Sequence, residues 1–339
     1  MKIITEETLI KLIKTHGLKK YLIDLIEILK KDFSKWNEFN LIPRPAMHVK
    51  NGVLELMPIC NKDYYSYKYV NCHPKNYKQN LMTVVATGQL SQTKTGYPLM
   101  YSEMTLLTAL RTAATTAIAT DLMSRKNSKI LAVIGTGAQS EFLTTAIRLV
   151  RDINQINFYD IDDNAMDKFE KNINDKSIKM IRCNNVKDAV KDSDIITTCT
   201  ACKAHVQVLK NDWIKKGVHI NGIGGDTEGK TELEDSILHR SSIIVEYLKQ
   251  CVVEGEIQQL NKDDIKKYVK AELHELITNK KKGRNNDQEI TLYDSVGIAL
   301  EDYSVLRFTY DLANKYNLGK ELNLTPNLAD PKNLISMIK

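Results

Sequence analysis

An unbroken apolar run, Lys129-Ile-Leu-Ala-Val-Ile134, passes directly into Gly135-Thr136-Gly137-Ala138-Gln139-Ser140. A helical pattern carried by Phe142, Ala146, Ile147 and Val150 follows at once. Strand, glycine turn and helix in immediate succession leave few folds open. The first glycine permits a tight turn, and the second lets a pyrophosphate lie against backbone N–H groups at the positive end of the helix. Ser140 is a small substitute for the usual third Gly or Ala. The spacing G-x-G-x-x-S is weak alone and gains its meaning from the strand before it and the helix after it. The next apolar strand, Ile156-Asn-Phe-Tyr159, ends in Asp160. A carboxylate there accepts hydrogen bonds from an adenosine ribose and repels a 2′-phosphate, which reads as NAD rather than NADP.

From residue 129 onward strands and helices alternate. Strands are expected near 129–134, 156–160, 179–183, 195–200, 219–224 and 242–246, with a last one at 289–293 before a long helix beginning near Ile298. Such alternation specifies a parallel sheet covered on both faces. The first third differs. Leu18, Leu22, Leu25, Leu29, Phe33 and Trp36 recur at helical spacing, and residues 46–101 then read as antiparallel β structure with a turn at Lys94-Thr-Gly-Tyr-Pro98. An Ala/Thr/Leu-rich helix from Thr105 to about Ser124 leads into the glycine strand. The expected fold is α/β: a Rossmann-type doubly wound parallel sheet over residues 116–314, plus a discontinuous α+β substrate-binding and dimerisation domain from residues 1–115 and 315–339.

At 339 residues the chain exceeds one typical core. Its 42% hydrophobic and 27% charged content is that of an ordinary soluble protein, and no run approaches the length of a membrane span. The amphipathic N-terminal helix does not resemble a secretory signal, so a cytoplasmic location is expected. The net charge of +6 is dispersed, without a basic stripe interleaved with aromatics, so nucleic acid is not implied. The densest basic run, Lys280-Lys281-Lys282-Gly283-Arg284, reads as a solvated loop. The six cysteines are scattered, as buried thiols are in a reducing compartment. Cys199-Thr-Ala-Cys202 has redox-pair spacing but no second pair or His cluster beside it, and no metal is expected.

A second glycine-rich run, Ile220-Asn221-Gly222-Ile223-Gly224-Gly225-Asp226, continues to Gly229-Lys230 and places one aspartate on a turn after an apolar strand. Asp226 there suits acid/base work beside a flat ligand; equally, it suits the N-cap of a helix beginning near Thr231. Three cations stand in apolar or rigid segments: Lys68 in an aromatic strand, Arg111 in Leu110-Arg-Thr-Ala-Ala114, and Arg44 between Pro43 and Pro45. A buried charge demands a partner. Each is open to a salt-bridge reading; together they suggest a pocket for a carboxylate. Glu55, alternating out of Val53-Leu-Glu-Leu-Met57, fits a substrate ammonium or simple solvent exposure.

In order along the chain come Glu55-Leu-Met-Pro58, Tyr67-Lys68-Tyr-Val-Asn71 with His73-Pro74, Gly96-Tyr-Pro98 and Ala109-Leu-Arg-Thr-Ala-Ala114. The glycine turn with Ser140-Glu-Phe142, Gly224-Gly-Asp226 with Gly229-Lys-Thr-Glu-Leu233, Glu254-Gly-Glu-Ile-Gln-Gln259, Asp294-Ser-Val-Gly297 and Ala299-Leu-Glu-Asp-Tyr303 follow. These pieces together resemble the ornithine cyclodeaminases, in the family that also includes mu-crystallin and archaeal alanine dehydrogenase. One departure is visible: Glu228 stands before Gly229 where the family turn commonly has Pro. The resemblance implies that Arg44, Lys68 and Arg111 contact the substrate carboxylate, that Asp226 is the catalytic acid/base, and that Val296 contacts substrate. It implies cofactor contacts at Thr83, Arg111, Ala138, Gln139, Asp160, Thr200, Ile223, Gly224, Gly225, Lys230 and Ser295, beside Gly135 and Gly137 of the turn itself. It also implies a homodimer joined through the β-rich domain.

The chemistry implied is conversion of L-ornithine to L-proline and ammonia, with a hydride lent to NAD and returned in one turnover. Rival readings are a lysine cyclodeaminase, an amino-acid dehydrogenase or ketimine reductase of the same family, or a non-catalytic small-ligand binder on the same scaffold. One methylene separates ornithine from lysine, worth only about 1–3 kcal/mol in a pocket.

Overall fold

The computed structural model describes residues 1–201 and 205–339. Eight strands of the second half form one sheet in the order Lys179–Arg182, Gln155–Tyr159, Ile130–Ile134, Ile195–Thr198, His219–Gly222, Ile290–Asp294, Ser241–Val245, Val269–Glu272. Every neighbouring pair is parallel. These strands are short, β-branched and buried on both faces, as crossover helices on either side require. Strand order reverses at Ile130–Ile134: the next two strands run to one side, and Ile195–Thr198 lies on the other. The crevice above the carboxyl ends of that pair is where ligands bind in sheets of this type.

The other sheet also has eight strands: Lys320–Glu321, Lys2–Ile4, Pro98–Glu103, Val84–Gln92, Tyr64–Cys72, Gly52–Cys60 and Asn40–Leu41 in order, with Ala46–Val49 paired to Gly52–Cys60 as well. Its pairs are antiparallel except Lys2–Ile4 beside Pro98–Glu103. Strand Gly52–Cys60 alternates as a one-sided sheet should, with Val53, Glu55, Met57 and Ile59 inward and Leu56 outward. Helices Leu18–Ser34, Thr105–Met123 and Ala299–Lys315 pack together over the inner face, and their buried Leu25, Leu29, Leu110, Leu300 and Leu306 join its core.

The N-terminal strand and the last strand of the chain meet in this sheet, since Lys2 pairs with Glu321 and Met1 N donates to Leu322 O. The expected dividing lines are at 115/116 and 314/315. Helix Thr105–Met123 runs unbroken across the first, touching strand Val84–Gln92 at one end and strands His219–Gly222 and Ile290–Asp294 at the other. Helix Ala299–Lys315 packs on Gly52–Cys60, Tyr64–Cys72 and Val84–Gln92. We propose that the β-rich unit takes up the chain again near residue 298.

Three local expectations are corrected. The segment at Thr231 is a strand, Thr231–Leu233, paired in parallel with His205–Leu209, so no helix begins there for Asp226 to cap. Arg284 does not belong to the solvated loop. Its guanidinium turns inward and donates to Met123 O, Val218 O, Glu289 O and Thr291 Oγ1, tying the sheet to the Thr105–Met123 helix. Glu55 is buried rather than exposed. Cys199 is half-buried, and burial of its thiol pushes its pKa up, which makes it a poor nucleophile; Cys202 lies outside the described residues.

Candidate active site

The first glycine turn is shaped for a ligand. Gly135 has φ +94°, and a Cβ there would meet Cys199 O at 2.8 Å, so the turn and the neighbouring strand end both require glycine. At Gly137 an added Cβ would meet nothing within 4 Å, and Gly137 and Ala138 are exposed at the crevice. Helix Ser140–Val150 begins immediately after, presenting its positive end. Gln139 keeps a buried Oε1 without a hydrogen-bond partner. Asp160 reaches across from the next strand: its Oδ2 accepts from Thr136 N at 2.6 Å and Thr136 Oγ1 at 3.2 Å, and its Oδ1 from Asp162 N at 3.1 Å. These residues fit a dinucleotide, with open space at the second glycine and a carboxylate behind the turn.

The second turn is built the opposite way. A Cβ on Gly224 would lie 2.0 Å from the Glu232 carboxyl carbon, and one on Gly225 2.6 Å from Glu256 Oε1. Buried acids fill the space that side chains would take. Glu232 accepts from Thr200 N at 2.9 Å and from the Thr200 hydroxyl; Glu256 accepts from Glu232 N at 2.8 Å and Leu233 N at 3.1 Å. Asp294 in turn accepts from Glu256 N at 2.8 Å and Ile257 N at 3.0 Å. Burial raises all three carboxyl pKa values, that of Asp294 to about 7.

Asp226 sits on this turn with its side chain 46% exposed, and Lys230 Nζ stands 3.1 Å from its Oδ1. Lys230 also donates to Thr200 O at 3.1 Å, joining the acid loop to the end of strand Ile195–Thr198. Ile223 N donates to Thr198 O at 3.0 Å, one step nearer the sheet. The β-rich unit reaches the same loop through Arg44, whose Nη2 donates to Asp226 O at 2.6 Å. Arg44 pairs with Glu55 at 3.1 Å and Glu254 at 2.8 Å, and the nearby acids hold its pKa up despite burial.

The other two cations share an acid. Lys68 Nζ lies 2.9 Å from Asp302 Oδ2, and Arg111 Nε lies 3.2 Å from Asp302 Oδ1 while its Nη1 reaches Glu301 Oε2 at 2.5 Å. Lys68 is 1% exposed, and burial lowers its pKa to about 8 even with Asp302 beside it, Arg111 and Arg44 adding their repulsion. The three cations therefore neighbour one another, yet two converge on Asp302 while Arg44 keeps its own acids. Val296 and Ser295 are buried on the turn after strand Ile290–Asp294, where the next residue, Gly297, lies against the Arg111 guanidinium. Thr83 is not drawn into this cluster by any of these bonds; its carbonyl accepts from His73 N at 2.8 Å at the start of strand Val84–Gln92.

The sequence reading gave no role to Glu232, Glu246, Glu254, Glu256, Asp294, Glu301 or Asp302, all of them among the buried polar residues. The signal that found the cations would have found several of these: Glu246 ends the apolar strand Ser-Ser-Ile-Ile-Val, and Glu301 and Asp302 interrupt Ala299-Leu300 and Tyr303 on a buried helix. Among the described residues no group of His, Cys and acids is arranged to hold a metal ion, and no helix is long and apolar enough to cross a membrane.

A doubly wound parallel sheet with an open glycine turn at its switch point, joined to a β-rich unit that reaches over the acid loop, defines a two-part α/β architecture of the dinucleotide-binding class. The chain belongs to the ornithine cyclodeaminase/mu-crystallin family, whose model matches residues 6–317. It is 42% identical over 335 residues to an ornithine cyclodeaminase of Brucella abortus biovar 1 (strain 9-941), covering 99% of this chain and 92% of that one. Among solved structures, an archaeal alanine dehydrogenase dimer with bound NAD superposes with a TM-score of 0.88 at 32% identity, covering 96% of this chain and 99% of that one. A lysine cyclodeaminase, solved to explain recognition of L-lysine, L-ornithine and L-2,4-diaminobutyric acid, gives 0.92 at 25% identity and 98% coverage of both.

Proposed function

We propose that the protein is an NAD-dependent ornithine cyclodeaminase, converting L-ornithine to L-proline and ammonia. One observation carries this reading: Asp226, a half-exposed carboxylate, stands at the crevice edge, tied by Lys230 and Arg44 to both halves of the molecule. Bound NAD supplies a hydride acceptor that becomes the donor within the same turnover, so no net oxidation results. Gly135, Gly137, Ala138 and Gln139 would cradle its pyrophosphate, with Asp160, Thr200, Lys230 and Ser295 around it. Lys68 and Arg111 would hold the substrate carboxylate, and Glu55 the distal ammonium. Asp226 accepts a proton from the attacking side-chain amine and returns one to the departing α-nitrogen, which general acid/base catalysis allows to a carboxylate within reach of both. The Lys230 ammonium at 3.1 Å favours the ionised form in which Asp226 can act as the base.

The outward face of the β-rich sheet exposes Leu56, Tyr65, Tyr69 and Val85, and we propose that a second copy of the chain covers it. The cytoplasm is the proposed location. The alternative with a specific observation behind it is the longer substrate, since lysine cyclodeaminase shares the fold at a TM-score of 0.92. Purified protein incubated with NAD and each amino acid decides between them. Proline and ammonia in equal amounts from ornithine, without accumulated NADH, is the expected result; pipecolate formed faster from lysine, or stoichiometric NADH with an oxo acid, would replace the reading.

A further inference from the structure

Glu246 lies one residue beyond strand Ser241–Val245, whose Val245 pairs with Asp294, so the sheet register sets it beside Ser295. It is 1% exposed. Its carboxylate receives four hydrogen bonds from one short stretch of the neighbouring strand end, and the Glu301 carboxyl also stands within hydrogen-bonding reach of it. Tyr293 OH and Ser295 Oγ donate to Oε1 at 2.5 Å each, and Val296 N at 3.0 Å and Gly297 N at 2.6 Å donate to Oε2. A buried carboxylate without such donors would be too costly to keep. Gly297 takes a left-handed φ of +74°, and a Cβ there would lie 2.5 Å from Arg111 Nη1. The turn that Glu246 grips is thus pressed against the guanidinium, and Gln250 Nε2 secures it further by donating to Gly297 O at 3.0 Å. Glu301 pairs with that same Arg111 Nη1 at 2.5 Å.

We infer that Glu246 is a positioning residue: it fixes the turn Ser295–Gly297 and, through that turn, the orientation of Arg111, and so sets the cofactor side and the substrate-carboxylate side of the cleft together. The inference rests on the proposed function for the roles of Ser295 and Arg111. Its own content is that one carboxylate organises both, and that what matters is acceptor geometry. A glutamine can meet that geometry, since its oxygen can take the two amides while its NH2 donates to the two hydroxyls, which rotate to accept. Alanine cannot, and it leaves two amides and two hydroxyls buried without an acceptor.

The test is NAD binding by calorimetry on the purified full-length protein, with amino-acid KM and kcat measured alongside. For E246A the NAD Kd and the ornithine KM are both expected to rise about tenfold or more, and E246Q should restore both to within about threefold of wild type. D32A serves as the structural control, because Asp32 is a buried acid whose bonds go to Ser304 and Arg307 of helix Ala299–Lys315 and not to Glu246 or the turn it grips. At a comparable loss of thermal stability it should leave NAD affinity unchanged. The inference is overturned if folded E246A binds NAD as wild type does, if E246Q is as impaired as E246A, or if D32A reproduces the loss. Should E246A not fold, E246D draws the carboxylate back by one methylene, and wild-type NAD affinity in that variant overturns the inference equally. A wild type that binds NAD but leaves ornithine unchanged removes the proposed reaction and not this inference; a wild type active on ornithine whose E246A variant binds both ligands normally removes this inference alone.

Discussion

The two glycine turns look alike in sequence and are opposites in space. At Gly137 the missing side chain leaves open room beside a helix end, which is what an approaching ligand needs. At Gly224 and Gly225 the room is already taken by the carboxylates of Glu232 and Glu256, which hold backbone amides of neighbouring loops. A glycine-rich stretch is therefore a statement about close approach, and what approaches must be read from the residues around it. In the second turn the approaching group is the protein itself, and its product is a rigid platform on which Asp226 stands.

The largest effect expected on that platform is chemical. Asp226→Asn keeps size and hydrogen bonding and removes proton transfer, so turnover should fall by roughly 10²–10⁴-fold while NAD still binds. Near-normal turnover would show that the platform carries no acid/base chemistry, and the contrast between the turns would lose its functional meaning.

Alanine substitutions probe the contrast directly. G224A must displace the buried Glu232 carboxylate, whose carbon would be 2.0 Å from the new methyl, and should cost about 3 kcal/mol or more in chemical denaturation. G137A meets no atom and should leave stability within about 0.5 kcal/mol of wild type while weakening NAD binding about tenfold, because the methyl enters the ligand's space. Equal stability losses in the two variants, or unchanged NAD affinity in G137A, would mean that the turns do not differ in kind.

A pH effect follows from the acids under the second turn. Asp294 is fully buried and its carboxyl pKa rises from 3.8 unfolded to about 7 folded. Between those values the folded chain binds more protons than the unfolded one, so stability falls as pH rises from about 4 to about 7. The contribution is complete below the unfolded pKa and lost above the folded one. D294N, which cannot ionise, should flatten that slope in denaturation curves taken across the window; an unchanged slope would assign it to other groups.

How much of this was legible in the sequence depended on periodicity and neighbourhood. The parallel strands at 130–134, 155–159, 195–198 and 219–222 were readable because apolar runs of strand length alternate with helical patterns, and the glycine turn was readable because it sits between two such signals. Thr231–Leu233 was misread as a helix start, since a three-residue strand has no period to detect and an acid before it imitates a cap. Lys68 and Arg111 stood out as charges in apolar segments, whereas their partners Glu301 and Asp302 lie far along the chain on a helix that folds back over the β-rich sheet. Pairing across that distance is set by tertiary packing, which no local pattern carries. The solvent-exposed reading of Glu55 failed for a related reason: alternation assigns it a face, and only the fold shows that this face is the inner one, with Arg44 beside it.

The smallest effect concerns Asp160, which the sequence assigned to the cofactor and the structure ties first to the glycine turn. Three hydrogen bonds from Thr136 and Asp162 occupy much of its carboxylate, leaving limited capacity for a ribose hydroxyl. Its negative charge beside the turn still repels a 2′-phosphate, so discrimination against NADP should rest more on charge than on bonding. D160S combined with I161R removes the charge and adds a cation where Ile161 is 94% exposed, with space for the longer side chain. Relative use of NADP over NAD should improve about three- to tenfold, and NAD affinity should fall modestly because Thr136 loses its acceptor. A wild type preferring NADP would sink the assignment of Asp160 outright. An unchanged preference in the double variant would show that Asp160 serves only to hold the first turn in shape, making the two turns more alike than Gly137 suggests.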